Sequence, residues 1–329
     1  MSNRYQPANS LESPRFSGVR TFMRLPNNQD LQNADAAVVG VPFDTGASFR
    51  AGARFGPEGI RSASHLLRPY NPSQGVPIFE HLSVIDYGDV PIVPGYTEES
   101  YEKIAAGLEE VHRAGVVPIV LGGDHAVALP ELRAAASVHG SLVLVQFDSH
   151  ADAWDSFFGM PHNHGTVFKR AVEEGLLDPS RSIQVGMRGS LYEGGDLEAS
   201  RALGFDLITT DEVRNVGIPA VIDRVRDRVG DTKCYVSFDV DFVDPAFAPG
   251  TGTPEIGGFT SREAQEFVRG LVGLDPVGCD VVEVYPSYDG PGQVTSLLAA
   301  NIAYELLTLI ASRRGLPLAT EKGGGKVLD

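Results

Sequence analysis

Short apolar runs rich in β-branched residues, separated by segments of helical period, constrain this chain most. Ala36–Val41, Val117–Leu121, Leu142–Phe147 and Cys234–Phe238 read as strands. Shorter candidates stand at Ser83–Asp86, Ser182–Val185, Asp206–Ile208 and Asp280–Val284. Helical segments at Thr97–Ala114, Pro130–Val138, Pro219–Val229, Ser261–Leu271 and Leu297–Ser312 intervene. A strand that is apolar on both faces has to be covered on both faces. The pattern predicts an α/β fold, a three-layer αβα domain around a central, mostly parallel sheet of about eight strands.

Open sheets of this kind collect ligands beyond the carboxyl ends of their strands. Asp148-Ser-His150-Ala-Asp152 follows one apolar run, Asp239-Val-Asp241 a second, and His125 a third, after Gly122-Gly123-Asp124. Glu283 ends a fourth. In extended backbone, side chains at i and i+2 share a face, so each cluster aims alternate groups one way. A lone Asp or His after a strand often caps the next helix. Several clusters at equivalent strand ends are another matter, because carboxylates buried together raise one another's pKa and are costly without cations. The donor set suits two divalent cations about 3.5 Å apart, a spacing matched to hydrolysis.

The formal charge of −16, from 43 acidic and 27 basic residues, argues against nucleic acid or an anionic membrane surface as partner and tolerates a cationic ligand. Cys234 and Cys279 lie in apolar runs without metal-ligand spacing, as in a reducing compartment. The first residues, MSNRYQPANSLESPRF, lack an apolar signal core, and no apolar run approaches the roughly 18–20 residues that span a bilayer, so a cytoplasmic protein is expected. Residues 1–33 read as an N-terminal arm, 34–315 as one domain, and 316–329 as a flexible tail.

In order and spacing, GGDHAVALP, FDSHADAW, NHGTVF, SFDVDFVDPAFAPGTGTPEIGG and DVVEVYPSYD resemble the signatures of the ureohydrolase (arginase/agmatinase) family. GVPFDTGASFRAGARFGPEGIR is similar to the opening signature of its agmatinase branch, and FMRLP and RPYN to its guanidinobutyrase and proclavaminate amidinohydrolase members. The resemblance implies an arginase-type fold, a homotrimer or homohexamer, and two Mn²⁺ ions, with Ni²⁺ or Co²⁺ also compatible with oxygen and nitrogen ligands. It further implies that His125, Asp148, Asp152 and Asp239 hold one ion, and His150, Asp148, Asp239 and Asp241 the other. Asp152 is then the partner of the attacking hydroxide's proton, Glu283 the clamp on the guanidinium, and His164 the proton carrier. The reaction implied is hydrolysis of a small cationic guanidino compound to urea and an amine.

Rim loops, mainly 153–163 and 188–196, set specificity in this family, and here the chain departs from it. Trp154 and Tyr285 add aromatic bulk that either packs in the core or narrows the pocket and stacks on a flat cation. Asp155 suits the ammonium tail of agmatine; Arg188 suits the carboxylate of 4-guanidinobutanoate, or pairs with a neighbouring loop. Agmatine ranks first, guanidino acids second, alkylguanidines or biguanides such as metformin third. Two rival classes are a non-catalytic subunit in a heteromer with a paralogous chain, and a single-zinc deacetylase.

Overall fold

The computed structural model describes residues 4–315, so the predicted tail at 316–329 lies outside the described residues. The main sheet has eight strands: β1 (Ala36–Gly40), β4 (Val84–Asp89), β5 (Val117–Leu121), β6 (Val143–Phe147), β7 (Ile183–Met187), β8 (Asp206–Thr209), β9 (Lys233–Asp239) and β10 (Asp275–Val282). A small ribbon of β2 (Tyr70–Asn71) and β3 (Val76–Pro77) stands apart from it. Every pairing in the main sheet is parallel, in the order β4-β1-β5-β10-β9-β6-β7-β8.

Alternation along each strand feeds two cores. Val38, Ile119, Leu121, Val143 and Val145 face one layer, and Ala37, Val39, Val120 and Leu144 the other. The first layer holds α1 (Gly56–Ser64), α8 (Ile218–Val229), α9 (Ser261–Gly270) and α10 (Val294–Gly315). The second holds α3 (Thr97–Arg113), α4 (Ala128–His139) and α5 (Val167–Glu173). Shorter helices, α2 (Ile78–His81), α6 (Asp196–Ala202) and α7 (Thr210–Val216), complete the connections.

Besides the short helices α2, α5, α6 and α7 and the β2–β3 ribbon, which the sequence reading lacked, three elements differ from it. The Gly-rich stretch after β1 contains α1, whose glycines serve close packing: a Cβ on Gly56 would lie 2.8 Å from the carbonyl oxygen of Val284, and one on Gly59 2.8 Å from Pro286. β10 begins five residues before the predicted Asp280, at Asp275, and Glu283 lies just past its end at φ +62°. α10 is long and apolar enough to cross a membrane, contrary to the run-length reading, yet its apolar window is 83% buried against the first core. It is a core helix, apolar all round because neighbours surround it. In the N-terminal segment Phe22, Met23 and Leu25 join that same core, tied down where the Phe22 amide donates to Asp86 Oδ2 at 2.7 Å.

The strand order positions the site. From β5 the chain skips two places to β6, and β9 and β10 later fill the gap. The four central strands β5, β10, β9 and β6 are therefore neighbours, and they are the four whose ends carry the His, Asp and Glu clusters. Register holds those ends level: Leu121 lies beside Val281, Val282 beside Asp239, and Phe238 beside Phe147.

Candidate metal centre and substrate pocket

His125, Asp148, His150, Asp152, Asp239 and Asp241 meet at this rim. His125 Nδ1 lies 2.9 Å from Asp152 Oδ2, 3.0 Å from Asp148 Oδ2 and 3.4 Å from Asp239 Oδ2. His150 Nδ1 lies 3.0 Å from Asp241 Oδ2 and 3.7 Å from Asp148 Oδ1. Ligand atoms form two groups, His125–Asp148–Asp239 and Asp148–His150–Asp241, each compact enough for one ion and sharing Asp148.

Backbone and side-chain donors fix each group. The amide of Gly122 donates to Val281, and Gly123 has no room for a Cβ, which would strike the carbonyl oxygen of Phe43, so the turn delivers His125 inward. His125 Nε2 bonds Ser237 Oγ at 2.8 Å, and Ser237 donates to Asp280 Oδ1 at 2.8 Å. That chain directs the Nε2 proton to Ser237 and turns the Nδ1 lone pair toward the carboxylates. Gln146 Nε2 and the His150 amide each donate to Asp148 at 2.7 Å. Ser149 donates to Asp241 Oδ1 from its amide at 3.0 Å and its hydroxyl at 2.7 Å.

The electrostatics follow from burial. Burial raises the Asp148 pKa to about 7, with Asp241 and Asp152 adding repulsion. Asp239 is driven up by burial and by repulsion from Asp241, Asp148 and Glu283. Burial opposes ionisation of Asp241 too, but His150 and the Ser149 donors overcome it and hold its carboxyl well below the usual range. Burial would lower the pKa of His125, yet Asp148, Asp152 and Asp239 outweigh it. His125 Nδ1 and Asp241 Oδ2 are buried and make no well-aligned hydrogen bond among the described residues, although carboxylates crowd the first and His150 Nδ1 lies 3.0 Å from the second. Clustered anions around inward-pointing donors are the chemistry of a cation site.

Glu283 adjoins this cluster. Its Oε1 accepts from the His125 amide at 2.7 Å and from His164 Nδ1 at 3.0 Å, while Oε2 is buried without a partner. Burial would raise its pKa, but His164 holds it down. Burial would lower His164, but Glu283 raises it to about 9. His164 Nε2 also bonds Ser48 Oγ at 2.7 Å.

A cavity of about 290 Å³ opens beside His150, Asp152 and His164. The other expected substrate residues are placed unequally. Trp154 lines the cavity, stacked on Phe157 at 5.2 Å. Asp155 does not line it: its side chain is 75% exposed and pairs with Lys169 at 2.7 Å and Arg170 at 2.8 Å, outside the pocket. Tyr285 is fully buried, beside Gly252 and Glu283, and is absent from the cavity lining, so it packs behind Glu283 instead of narrowing the mouth. Arg188 lines the cavity, but its guanidinium donates to backbone carbonyls, Nη2 to Asp241 at 2.6 Å and Nη1 to Phe242 at 3.1 Å. Phe157, Tyr192, Asp196 and Glu255 also line the cavity; the rim-loop spans 153–163 and 188–196 contain the first three, and Glu255 lies in the GTGTPEIGG stretch with no role assigned to it by the sequence reading.

Comparison with known proteins decides the family. Residues 34–308 match the arginase family model. The chain belongs to the arginase family. Among the relatives of this arginase-family protein are a guanidinobutyrase of Pseudomonas aeruginosa, 47% identical over 94% of this chain and 97% of the relative, and an agmatinase of Gallus gallus, 44% identical over 89% and 86%. The solved proclavaminate amidinohydrolase of Streptomyces clavuligerus superposes with a TM-score of 0.87 at 40% identity, covering 91% of this chain and 99% of that one. A formiminoglutamase of Trypanosoma cruzi, solved with Mn²⁺, is similar at a TM-score of 0.79 and 25% identity. The eight-stranded arginase fold is thus shared, and the protein is a hydrolase of C–N bonds in amidino compounds.

Proposed function

We propose that this hydrolase is a dinuclear, divalent-metal-dependent amidinohydrolase that converts a small guanidino compound to urea and an amine. The observation that carries the proposal is the convergence, in one buried cluster, of His125 Nδ1 on the carboxylates of Asp148, Asp152 and Asp239 and of His150 Nδ1 on Asp241, with His125 Nδ1 and Asp241 Oδ2 left without a well-aligned hydrogen bond. His125, Asp148, Asp152 and Asp239 would hold one cation, and His150, Asp148, Asp239 and Asp241 the second. Mn²⁺ is the first choice, and the donor set also accepts Ni²⁺ or Co²⁺. Bound there, two such cations would supply a water of lowered pKa, the strong nucleophile that the resonance-stabilised guanidinium carbon requires.

The chain's own groups do the rest. Glu283 Oε2, buried and ionised, receives the planar guanidinium and fixes its carbon beside the cluster. Asp152 takes the proton released by the attacking water. His164, protonated beside Glu283, hands a proton to the departing amine nitrogen, since an amide-like anion cannot leave. Guanidinobutyrase and guanidinopropionase among the relatives support a guanidino acid, and agmatinase supports agmatine.

The test is urea release by protein loaded separately with Mn²⁺ and Ni²⁺, on agmatine, 4-guanidinobutanoate, 3-guanidinopropanoate, arginine and dimethylguanidine. Turnover of at least one is expected. Silence across the panel with two ions bound would overturn the proposal in favour of a non-catalytic subunit.

A further inference from the structure

The cavity beside the cluster has two walls of different character. One is aromatic: Tyr192 closes on the stacked Trp154–Phe157 pair, 5.5 Å from the first ring and 6.2 Å from the second. The other carries acid. Beyond Asp152, two carboxylates line the cavity, Asp196 and Glu255. Asp196 is occupied in its own turn, where Oδ2 accepts the amides of Tyr192 at 3.0 Å and Glu193 at 3.3 Å.

Glu255 is differently placed. Its carboxylate rests on Gly189, where a Cβ would sit 2.3 Å from Cδ; Gly189 also adopts φ +88°. Among the described residues no Lys or Arg pairs with it, and its one ion-pair contact is His150 Nε2 at 3.8 Å. The cationic side chain in this lining other than histidine is Arg188. Its guanidinium is committed to carbonyls, Nη2 to Asp241 and, at 2.9 Å, to Glu255 itself. Arg188 therefore holds the Glu255 loop in place and presents no open fork to a carboxylate.

A substrate tail in this cavity meets three aromatic rings and two carboxylates without a Lys or Arg partner, of which Asp196 is engaged by backbone amides and Glu255 is not. A positive tail gains from both, and a carboxylate tail is desolvated beside a like charge without an Arg or Lys to receive it. We infer that the site selects a guanidino compound whose far end is cationic, an ω-aminoalkylguanidine, over one ending in a carboxylate, and that Glu255 receives that end. This rests on the amidinohydrolase reading above.

Three substrates of similar length and different tail charge provide the test: agmatine, pentylguanidine and 4-guanidinobutanoate. The expected order of kcat/KM is agmatine, then pentylguanidine, then 4-guanidinobutanoate. Glu255→Gln should lower kcat/KM for agmatine about tenfold through KM, leave pentylguanidine within about twofold, and raise 4-guanidinobutanoate. The parent's order alone can overturn the inference, whether or not the variant folds: 4-guanidinobutanoate turned over fastest would do so. An equal loss for all three substrates through kcat would also overturn it and make Glu255 a positioning residue for His150. No turnover of any of the three by metal-loaded protein would instead remove the amidinohydrolase reading, and this inference with it.

Discussion

Glu283→Gln separates charge from shape at the centre of the site. The side chain is buried, and its Oε1 bonds to the His125 amide and to His164, so a near-isosteric amide can keep the first contact while the charge is lost. Removing the charged partner from a buried, hydrogen-bonded pair costs about 2–5 kcal/mol. At about 1.4 kcal/mol per decade, kcat/KM should fall roughly 30- to 4000-fold, with guanidinium binding absorbing most of it. His164 gives an independent reading. Burial lowers its pKa and Glu283, with Asp152 and Asp124 adding to it, lifts it to about 9, so without the carboxylate the largest raising influence is gone and the ring should titrate lower. The assays are steady-state urea release and, in chelator-stripped protein, an NMR pH titration of the His164 ring. A loss of activity under about threefold, or a His164 that still titrates near 9, would refute the argument that this carboxylate both seats the guanidinium and charges the histidine.

Further expectations concern the metal site and its frame. Ser237→Ala removes the hydroxyl between His125 Nε2 and Asp280, and metal affinity measured by chelator competition should weaken about 10- to 100-fold with the fold intact. Without metal, the raised pKa of Asp148 means that the folded state holds a proton the unfolded chain releases, so its contribution falls as pH rises from about 4 to about 7. Cations bind the deprotonated cluster, so the rise in Tm on adding Mn²⁺ should widen between about pH 5 and pH 8; a constant rise would contradict the ligand set. Gly186→Ala places a Cβ 2.5 Å from the Phe242 ring and 2.6 Å from the Asp148 carbonyl oxygen at φ +109°, so stability in urea should drop by more than about 2 kcal/mol.

The metal cluster is legible in the sequence because it is local. Asp148, His150 and Asp152, or Asp239 and Asp241, each follow a run that reads as a buried strand, but the extended period expected there does not hold: β6 ends at Phe147, Asp152 has φ +48°, and Asp241 lies in a 3-10 turn, Val240–Phe242. Their convergence depends on strand order, and β5, β10, β9 and β6 become neighbours only through the skipped crossover. The substrate side is hidden for the opposite reason. Asp155 sits next to Trp154 in sequence, yet one faces solvent on the Lys169–Arg170 pair and the other the cavity. No period predicts side-chain direction in an irregular loop. Glu255 lies in a Gly- and Pro-rich turn far along the chain from the loops at 153–163 and 188–196, and the Arg188 anchor ties it to the same cavity. Helix α1 escaped notice because its glycines signal a turn in sequence but close packing beneath β10 in space.

The central claim is that the six converging side chains hold two cations. The most direct measurement is the metal content of the chain after Mn²⁺ loading and gel filtration, by inductively coupled plasma mass spectrometry, for the parent and for Asp148→Asn. Two ions per parent chain, and at most one in the variant that has lost the shared carboxylate, is the predicted result. One ion in the parent, or an unchanged count of two in Asp148→Asn, would contradict the dinuclear account.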